Sequence, residues 1–357
     1  MRRLLPACST DPPGGAEQRL SLRVIAGILV LGLLYLASPV FIPLAFALFT
    51  IALVAPLQRA LAGRMPAPLA SILTLAVTAG CVAAFLLLAG WGFGLIAQWI
   101  FGNAGRFQRL LSMETEGMHR HGGMVLRLFV DNVNAAWLLR AVQELALKIN
   151  SMLGLSFLTI IFVALGLFEL DEAPGRLRKA LGASRGRRWT AAAAEVAAKL
   201  RRYMIIRTVA SVLTGLSVWL FTIYAGLELA SAWGGLAFLL NYIPFLGPLV
   251  ATVFPALFAY VQYESLQASL AVFLSLNFIQ VIYGCYLEPR LAGSAFSLSP
   301  LMVMLAVFFW GLVWGIPGTF IGVPLLITAT AVFGAMSPAA KRQGVLPRAR
   351  GRRQACE

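Results

Sequence analysis

The chain has 357 residues, of which 60% are hydrophobic and only 12% are charged. Its mean hydropathy of +0.83 excludes a water-soluble globular fold, since about a quarter of the residues of soluble proteins are charged. The formal net charge of +15 does not indicate nucleic-acid binding, because the basic residues flank apolar segments and form no basic domain with aromatic readers.

Seven stretches of the sequence contain no charged residue. They are residues 24–58, 65–105, 149–168, 208–227, 229–263, 265–287 and 291–340. A transmembrane helix needs about 20 apolar residues to cross a hydrocarbon core of about 30 Å, and one charge at its centre costs roughly 2.5–3.5 kcal/mol. The sequence therefore predicts an all-α, polytopic integral membrane protein with about eight transmembrane helices.

The first half of the chain is predicted to hold three spans and an external region. Residues 1–23 form a tail, and residues 24–92 hold helices one to three, because two prolines at residues 38–43 break the first window into two short spans. The third span is expected to end at residues 91–94, where a tryptophan favours the interface. Residues 93–148 carry apolar residues at helical spacing among charged ones, which predicts external amphipathic helices.

The second half is predicted to hold five more spans around a basic connector. Residues 149–170 form the fourth span, residues 171–207 a cytoplasmic connector, and residues 208–336 the last four spans. This count treats the windows 229–263 and 291–340 each as one helix broken by proline and glycine, and it leaves open whether the breaks are kinks or re-entrant hairpins. The connector is interpreted as a topology determinant near anionic lipids, with a regulatory or partner-binding surface as the alternative.

The apolar windows show no pattern for catalysis. The sequence lacks HExxH, GxSxG and P-loop motifs and has no clustered acidic and histidine residues. We therefore expect that the chain is not an enzyme, and we expect no catalytic residue, metal site or cofactor.

The strongest candidate site is the break at residues 241–248. It combines an amide, a phenol and helix breakers, namely Asn241, Tyr242, Pro244, Gly247 and Pro248. A broken helix at membrane depth leaves backbone groups unpaired, which is tolerated only against protein or a water-lined cavity. Such helices form the substrate sites of secondary transporters. The alternative is a kink that only shapes packing.

A second candidate lies between the last two windows. Glu288, Pro289 and Arg290 are followed by Ser299 and Pro300. A carboxylate in a membrane or at its rim can carry a proton or pair with a cation. The alternative places these charges at the interface, where Glu288 caps a helix or pairs with its neighbour Arg290.

Four glycines of the last window share one helix face by their spacing. They are Gly311, Gly315, Gly318 and Gly322. Small residues on one face allow close helix packing, and the same smooth surface would also allow a moving helix to slide.

At these residues the chain resembles the autoinducer-2 exporter family of bacterial membrane proteins, over about residues 20–334. The blocks that carry the resemblance are residues 202–203, 241–248, 288–293, 298–300, 311–318 and 323–325. The resemblance implies about eight transmembrane helices, an external region after the third, cytoplasmic termini, and export of a small molecule such as the furanone-type signal autoinducer-2, or sodium/proton antiport. Ser299, where many members have histidine, and Pro317 depart from the pattern, so a proton-handling role there is not carried over.

We expect a secondary-type transporter, an exporter or permease of the bacterial cytoplasmic membrane, that moves a small solute or an ion. The alternative is a non-transporting membrane scaffold that binds a partner through its connector and external helices. The expected partners are the lipid bilayer and a small-molecule or ion substrate, without nucleic acid, and self-association into a homo-oligomer stays open.

An even number of spans places residues 1–23 and the basic tail 337–357 on the same side. With both in the cytoplasm, the cytoplasmic segments hold 22 of the 29 Lys and Arg residues, as the positive-inside rule requires. Reporters fused after Gly117 should therefore be external, whereas reporters after Arg185 and Arg350 should be cytoplasmic. A cytoplasmic signal after Gly117 would contradict this orientation.

Overall fold

A computed structural model describes residues 15–118, 135–170, 172–292 and 299–336, and these residues form helices and short turns. The helices are α1 (Gly15–Leu36), α2 (Ser38–Ala62), α3 (Ala67–Met118), α4 (Ala135–Glu169), α5 (Ala173–Leu181), α6 (Ala183–Tyr224), α7 (Ala230–Leu240), α8 (Leu246–Tyr263), α9 (Leu266–Val281), α10 (Glu288–Ala292) and α11 (Pro300–Met336). A π-helical segment, Ile282–Leu287, joins α9 to α10. No strand occurs in these four stretches, and the predicted all-α class is confirmed.

Seven helical segments are long and apolar enough to cross a membrane. They are Ser38–Ala62, Ala67–Asn103, Met152–Glu169, Ala183–Tyr224, Leu246–Tyr263, Leu266–Leu287 and Pro300–Gly334. The apolar run Ser21–Leu36 of α1 and the helix α7 are shorter. The chain is thus polytopic as predicted, although its described part holds seven such helices and not eight.

The helices turn apolar side chains outward and small polar ones inward. Leu36, Leu312 and Phe333 are 75–84% exposed, whereas Thr74 and Ser211 are fully buried. Water-soluble proteins show the reverse distribution. A bundle with apolar outer faces and hydrogen-bonded polar groups inside is suited to a lipid environment.

The first helices differ in detail from the predicted boundaries. The window 24–58 forms two helices as predicted, but the break between them lies at Ala37 and not within residues 38–43. Pro39 fits the first turn of α2, and Pro43 is accommodated inside that helix. Helix α3 does not end at residues 91–94, since Gly92 packs closely against Leu236 and the helix continues to Met118.

The predicted external and connector regions are largely continuations of the long helices. The described parts of residues 93–148 belong to the end of α3 and the start of α4, while residues 119–134 lie outside the described residues. The connector begins with the short α5, but its remainder is the first half of α6. Helix α6 then runs without interruption through the predicted fifth span to Tyr224.

Helices α7 and α8 form a first hairpin that reverses inside the bundle. Its two ends meet, because the Glu228 backbone N–H donates to the Gln262 side chain (3.0 Å) and Gln262 Nε2 donates to the Gly226 carbonyl (2.9 Å). Helix α7 runs antiparallel to α6, with Gly234 in backbone contact with Gly215. The window 229–263 therefore enters and leaves at the same end of the bundle, so its break is a re-entrant hairpin.

Helix α11 is a second hairpin with its tip at Gly315, whose φ of 65° and ψ of −143° lie outside the helical region. A Cβ on Gly322 would lie 3.0 Å from the carbonyl oxygen of Ala306, and one on Gly318 would lie 1.9 Å from that of Trp310. Residues eight or sixteen positions apart cannot touch in a continuous helix, which rises about 1.5 Å per residue. The two arms, residues 300–314 and 316–336, are therefore antiparallel neighbours.

The two hairpins point in opposite directions. The first opens at the end of the bundle where Arg106 of α3 pairs with Glu264 (3.2 Å). The tip of the second points to that same end, because Trp314 Nε1 donates to the carbonyl of Leu34 (3.0 Å), beside the α1–α2 turn. Helices α2 and α3 join at the opposite end of the bundle, where Gln58 Nε2 donates to the Ser71 hydroxyl (2.8 Å). The other end of α2, which carries the α1–α2 turn, therefore lies at the Glu264 end.

The contact between the arms predicts a selective effect of adding one methyl group. Gly318→Ala should destabilise the protein by about 1–3 kcal/mol, since its Cβ would meet the Trp310 carbonyl and the arms would have to separate. The matched control is Gly334→Ala in the same helix, where a Cβ meets no atom within 4 Å. Thermal unfolding of the purified variants in detergent measures the difference, and equal stability of both variants would contradict the hairpin.

Candidate functional site

The tip of the first hairpin is a strained turn. Phe245 has a φ of 63° and a ψ of −51°, and the Leu246 N–H donates to the Pro244 carbonyl two residues earlier (2.7 Å). A γ-turn with positive φ is rare and strained for a bulky residue. Gly247 is required here, because a Cβ would lie 1.9 Å from the carbonyl oxygen of Leu240. Pro248 lies in the first turn of α8, where no intrahelical partner for its nitrogen is lost.

Two polar side chains fix the tip to α6. Asn241 Nδ2 donates to the Ser211 hydroxyl (3.1 Å), and the Tyr242 hydroxyl donates to that of Thr208 (3.0 Å). Asn241 and Tyr242 are buried, whereas Thr208 is exposed. The buried polar groups thus have partners, while the edge of the site remains accessible.

The ring of Tyr242 lies where the two hairpins meet. It stacks on Phe320 of the second hairpin at 6.2 Å between centroids and makes edge contacts with Phe85 of α3 (5.9 Å) and Phe238 of α7 (5.6 Å). Phe320 also stacks on Phe46 of α2 (5.8 Å). We call these five rings the tip cluster. It joins four helices of the bundle around the contact between the hairpins.

A partly buried ion pair joins α6 to α10, next to the α6 residues that hold the first hairpin. Arg207, the residue before Thr208, donates through Nη1 to Glu288 Oε1. The side chains are 10% and 25% exposed, respectively. The Arg207 guanidinium also donates to the Tyr203 hydroxyl. Removing one partner from such a pair is strongly destabilising unless another ion takes its place.

The interface interpretation predicts that Glu288 pairs with Arg290. The structure pairs Glu288 with Arg207 instead. Arg290 lies over the ring of Tyr286, 5.3 Å from its centroid. Glu288 follows the π-helical segment, whose wider turn shifts the register of the helix before this residue. The partner of Glu288 is instead 81 positions away in sequence.

Arg207 is a candidate that sequence reasoning missed. It directly precedes the window 208–227 and was counted with the connector, whereas the structure buries it in α6. A signal was present in the periodicity, since Arg207 shares one face of α6 with small polar residues. These are Ser211, Thr214 and Thr222.

The remaining sequence candidates lie at the second hairpin and at α10. Ser299 and Pro300 are exposed at the base of the second hairpin, where the Ser299 carbonyl accepts from the Val303 N–H (3.1 Å). Pro289 is the second residue of α10. Gly311, Gly318 and Gly322 line the contact between the arms, and Gly315 forms the tip. In the described stretches, no group of three His, Cys, Asp or Glu residues could hold a metal ion.

The turn at the tip predicts a graded pattern of chemical labelling. Phe245 and Leu246 are 44% and 39% exposed, whereas Leu276 in α9 is fully buried. With the four native cysteines replaced, single cysteines at 245 and 246 should react with a membrane-impermeant thiol reagent much faster than one at 276, because the reactive thiolate forms only where water reaches it. Equal protection at all three positions would support the interpretation of the break as a packing feature only.

Comparison with known proteins identifies the family of the chain. It is 30% identical to the "AI-2 transport protein TqsA" of Escherichia coli (strain K12) over 194 residues, which are 54% of this chain and 55% of that protein. A "Putative transport protein" of Haemophilus influenzae is 25% identical over 322 residues, or 86% of this chain and 90% of the relative. The chain thus spans about half of the E. coli relative and most of the H. influenzae one. The family match itself covers residues 24–337, so the chain belongs to the AI-2E family of transporters.

Proposed function

We propose that the chain is a multi-pass transporter of the bacterial cytoplasmic membrane that moves a small solute or an ion through the region where the two hairpin tips meet. The observation that carries this proposal is the stacking of Tyr242 on Phe320 at 6.2 Å between hairpins of opposite orientation. No cofactor is part of the proposal.

Opposed hairpins provide a means of alternating access. Each reversal leaves backbone groups without helical partners, and such breaks are tolerated at membrane depth where protein or a water-lined cavity surrounds them. Discontinuous helices that meet near the midplane form the binding sites of many secondary transporters. Withdrawing one tip from the tip cluster would open the site to one end of the bundle, and withdrawing the other would open it to the opposite end.

The family and the site support two kinds of substrate. The name of the E. coli relative supports autoinducer-2 as an exported solute. The partly buried pair of Arg207 and Glu288 supports ion coupling or antiport instead, because an intramembrane carboxylate with a counter-charge is suited to exchange a cation or a proton.

The competing function is a membrane scaffold without transport. The exposed basic residues of α5 and the start of α6 favour it, since they could bind an acidic partner. They are Arg178, Lys179, Arg185, Arg187 and Arg188. The two functions differ in one observable, because only a transporter moves solute across a sealed membrane.

Flux through proteoliposomes tests the proposal. Purified protein should export loaded autoinducer-2, or collapse a pH gradient on addition of sodium, above the rate of protein-free vesicles. Phe320→Leu should lower gradient-driven flux about tenfold, because losing a ring contact of about 0.5–1.5 kcal/mol loosens the closed tips.

The control is Phe333→Leu, which changes an exposed ring near the end of the same helix and should transport like the wild type. If the wild-type protein shows neither flux, the scaffold function is favoured. If Phe320→Leu and Phe333→Leu transport equally, the path does not run through the tip cluster.

A further inference from the structure

The guanidinium of Arg207 has one donor, Nε, that no described residue accepts from. Arg207 is 8% exposed, its guanidinium serves Glu288 through Nη1 and also the Tyr203 hydroxyl, and the buried Nε has no hydrogen-bond partner among the described residues. A buried donor without a partner is costly, and more so when it belongs to a charged group. Such a donor next to a proposed transport path therefore points to a ligand.

The chemistry of the donor limits the class of ligand. The guanidinium is a planar fork that presents pairs of parallel N–H groups, and it holds carboxylates and phosphates through two oxygens at once. An uncharged solute would leave the charge of Arg207 without compensation once Glu288 moved away. The ligand that completes the site is thus a small solute that carries an oxoanion group.

The position of Arg207 makes the site part of the proposed path. Thr208, the next residue, is exposed and holds the Tyr242 hydroxyl, and Ser211 one turn later holds Asn241. Because Arg207 and Ser211 lie on the same face of α6, a ligand that binds Arg207 Nε would lie near the tip of the first hairpin. Only a quarter of the Glu288 side chain is exposed, so a Glu288 that releases Arg207 remains largely covered by protein.

Two anions cannot share this guanidinium in a low-dielectric site without leaving one negative charge in excess. When the ligand binds, the hydrogen bond from Arg207 Nη1 to Glu288 Oε1 breaks and the Glu288 carboxylate loses its counter-charge. A carboxylate in that situation is neutralised by a proton from solvent. The site then holds one anion, one guanidinium and one carboxylic acid, so its net charge is the same as before binding.

We infer that Arg207 exchanges Glu288 for the oxoanion group of the transported solute, and that Glu288 takes up one proton with each anion bound. This inference rests on the proposed transport function and specifies both the class of its substrate and the coupling ion.

Glu288 is the only carboxylate among the described titratable groups that interact with Arg207, and the other such group is the phenol of Tyr203. The nearby phenols of Tyr242 and Tyr283 bond Thr208 and Ser217 instead, and Arg290 lies over the ring of Tyr286. Phenols and guanidinium groups keep their protons below about pH 9. A proton taken up between pH 6 and pH 8 therefore reports on Glu288.

The test is binding of acetate to the purified full chain in detergent. Calorimetry at pH 6 and pH 8 measures the affinity, and a pH dye in weak buffer measures the protons taken up. Acetate is ionised at both pH values, so a change in affinity belongs to the protein. We expect acetate to bind at least about tenfold more tightly at pH 6, within the usual range of coupling between two sites, with uptake of about one proton per acetate. Erythritol, an uncharged solute of similar polarity, should not bind.

Three variants separate the exchange from a purely structural ion pair. Glu288→Gln should bind acetate about tenfold more tightly than the wild type at pH 8 and take up no proton, because the competitor is gone. Arg207→Lys keeps the charge but lacks the two-donor edge, so it should bind acetate about tenfold more weakly. Arg290→Gln is the control for loss of a nearby positive charge and should behave like the wild type.

Methanesulfonate in place of acetate shows whether the site prefers a tetrahedral oxoanion of the phosphate type, and tighter binding of either probe supports the inference.

Absence of binding by both probes, equal wild-type affinity at both pH values, or proton uptake that persists in Glu288→Gln would overturn the inference. If autoinducer-2 flux occurs without oxoanion binding, this inference fails and the proposed function stands. If oxoanion binding and proton uptake occur without flux of any kind, the site stands and the transport function fails.

Discussion

The pairing of backbone polar groups in a nonpolar environment is the constraint on which this fold depends. A chain that reverses within the membrane must keep its peptide groups bonded or packed against protein. Both reversals meet this requirement by bringing backbones together so closely that a methyl group would not fit. Gly247 lies against the Leu240 carbonyl at the first tip, and Gly318 lies against the Trp310 carbonyl in the second hairpin. Glycine at these positions allows each hairpin to close tightly at its tip, and so places the rings of Tyr242 and Phe320.

Helix α6 connects the elements of the candidate site. One face of this helix carries Ser211, which holds the first hairpin, and Arg207, which holds the start of α10 through Glu288. Gly215 on the same helix allows α7 to approach within backbone contact. The polar face is therefore a continuous surface along which the first hairpin and the α9–α10 junction are both fixed.

The sequence is sufficient for the class of the protein and for the positions of its two hairpin tips, although not for the ends of α1 and α3. Charge-free windows determine which segments can lie in lipid, and proline and glycine near residues 241–248 and 315–318 restrict the backbone locally. Whether such a break bends a helix or reverses it depends on contacts between distant residues, such as Ala306 with Gly322 and Glu228 with Gln262. No local pattern encodes those contacts. The same limit applies to Glu288, whose nearest sequence neighbour of opposite charge is Arg290, while its actual partner is Arg207.

The unbroken length of α6 has a mechanical consequence. Its 42 residues extend over about 63 Å, with the basic turns at one end and the Gly215–Gly234 crossing toward the other. The two glycines bring the backbones into contact at the crossing, with the Cβ atoms of Phe238 and Trp219 packed against them, so the crossing can serve as a fulcrum. Arg185 lies about 45 Å from it and Arg207 about 12 Å. A tilt of α6 about this crossing would displace the basic end along the membrane surface. The Arg207 guanidinium would then move by about a quarter of the displacement of Arg185, so a large movement at the membrane surface becomes a small one at the site.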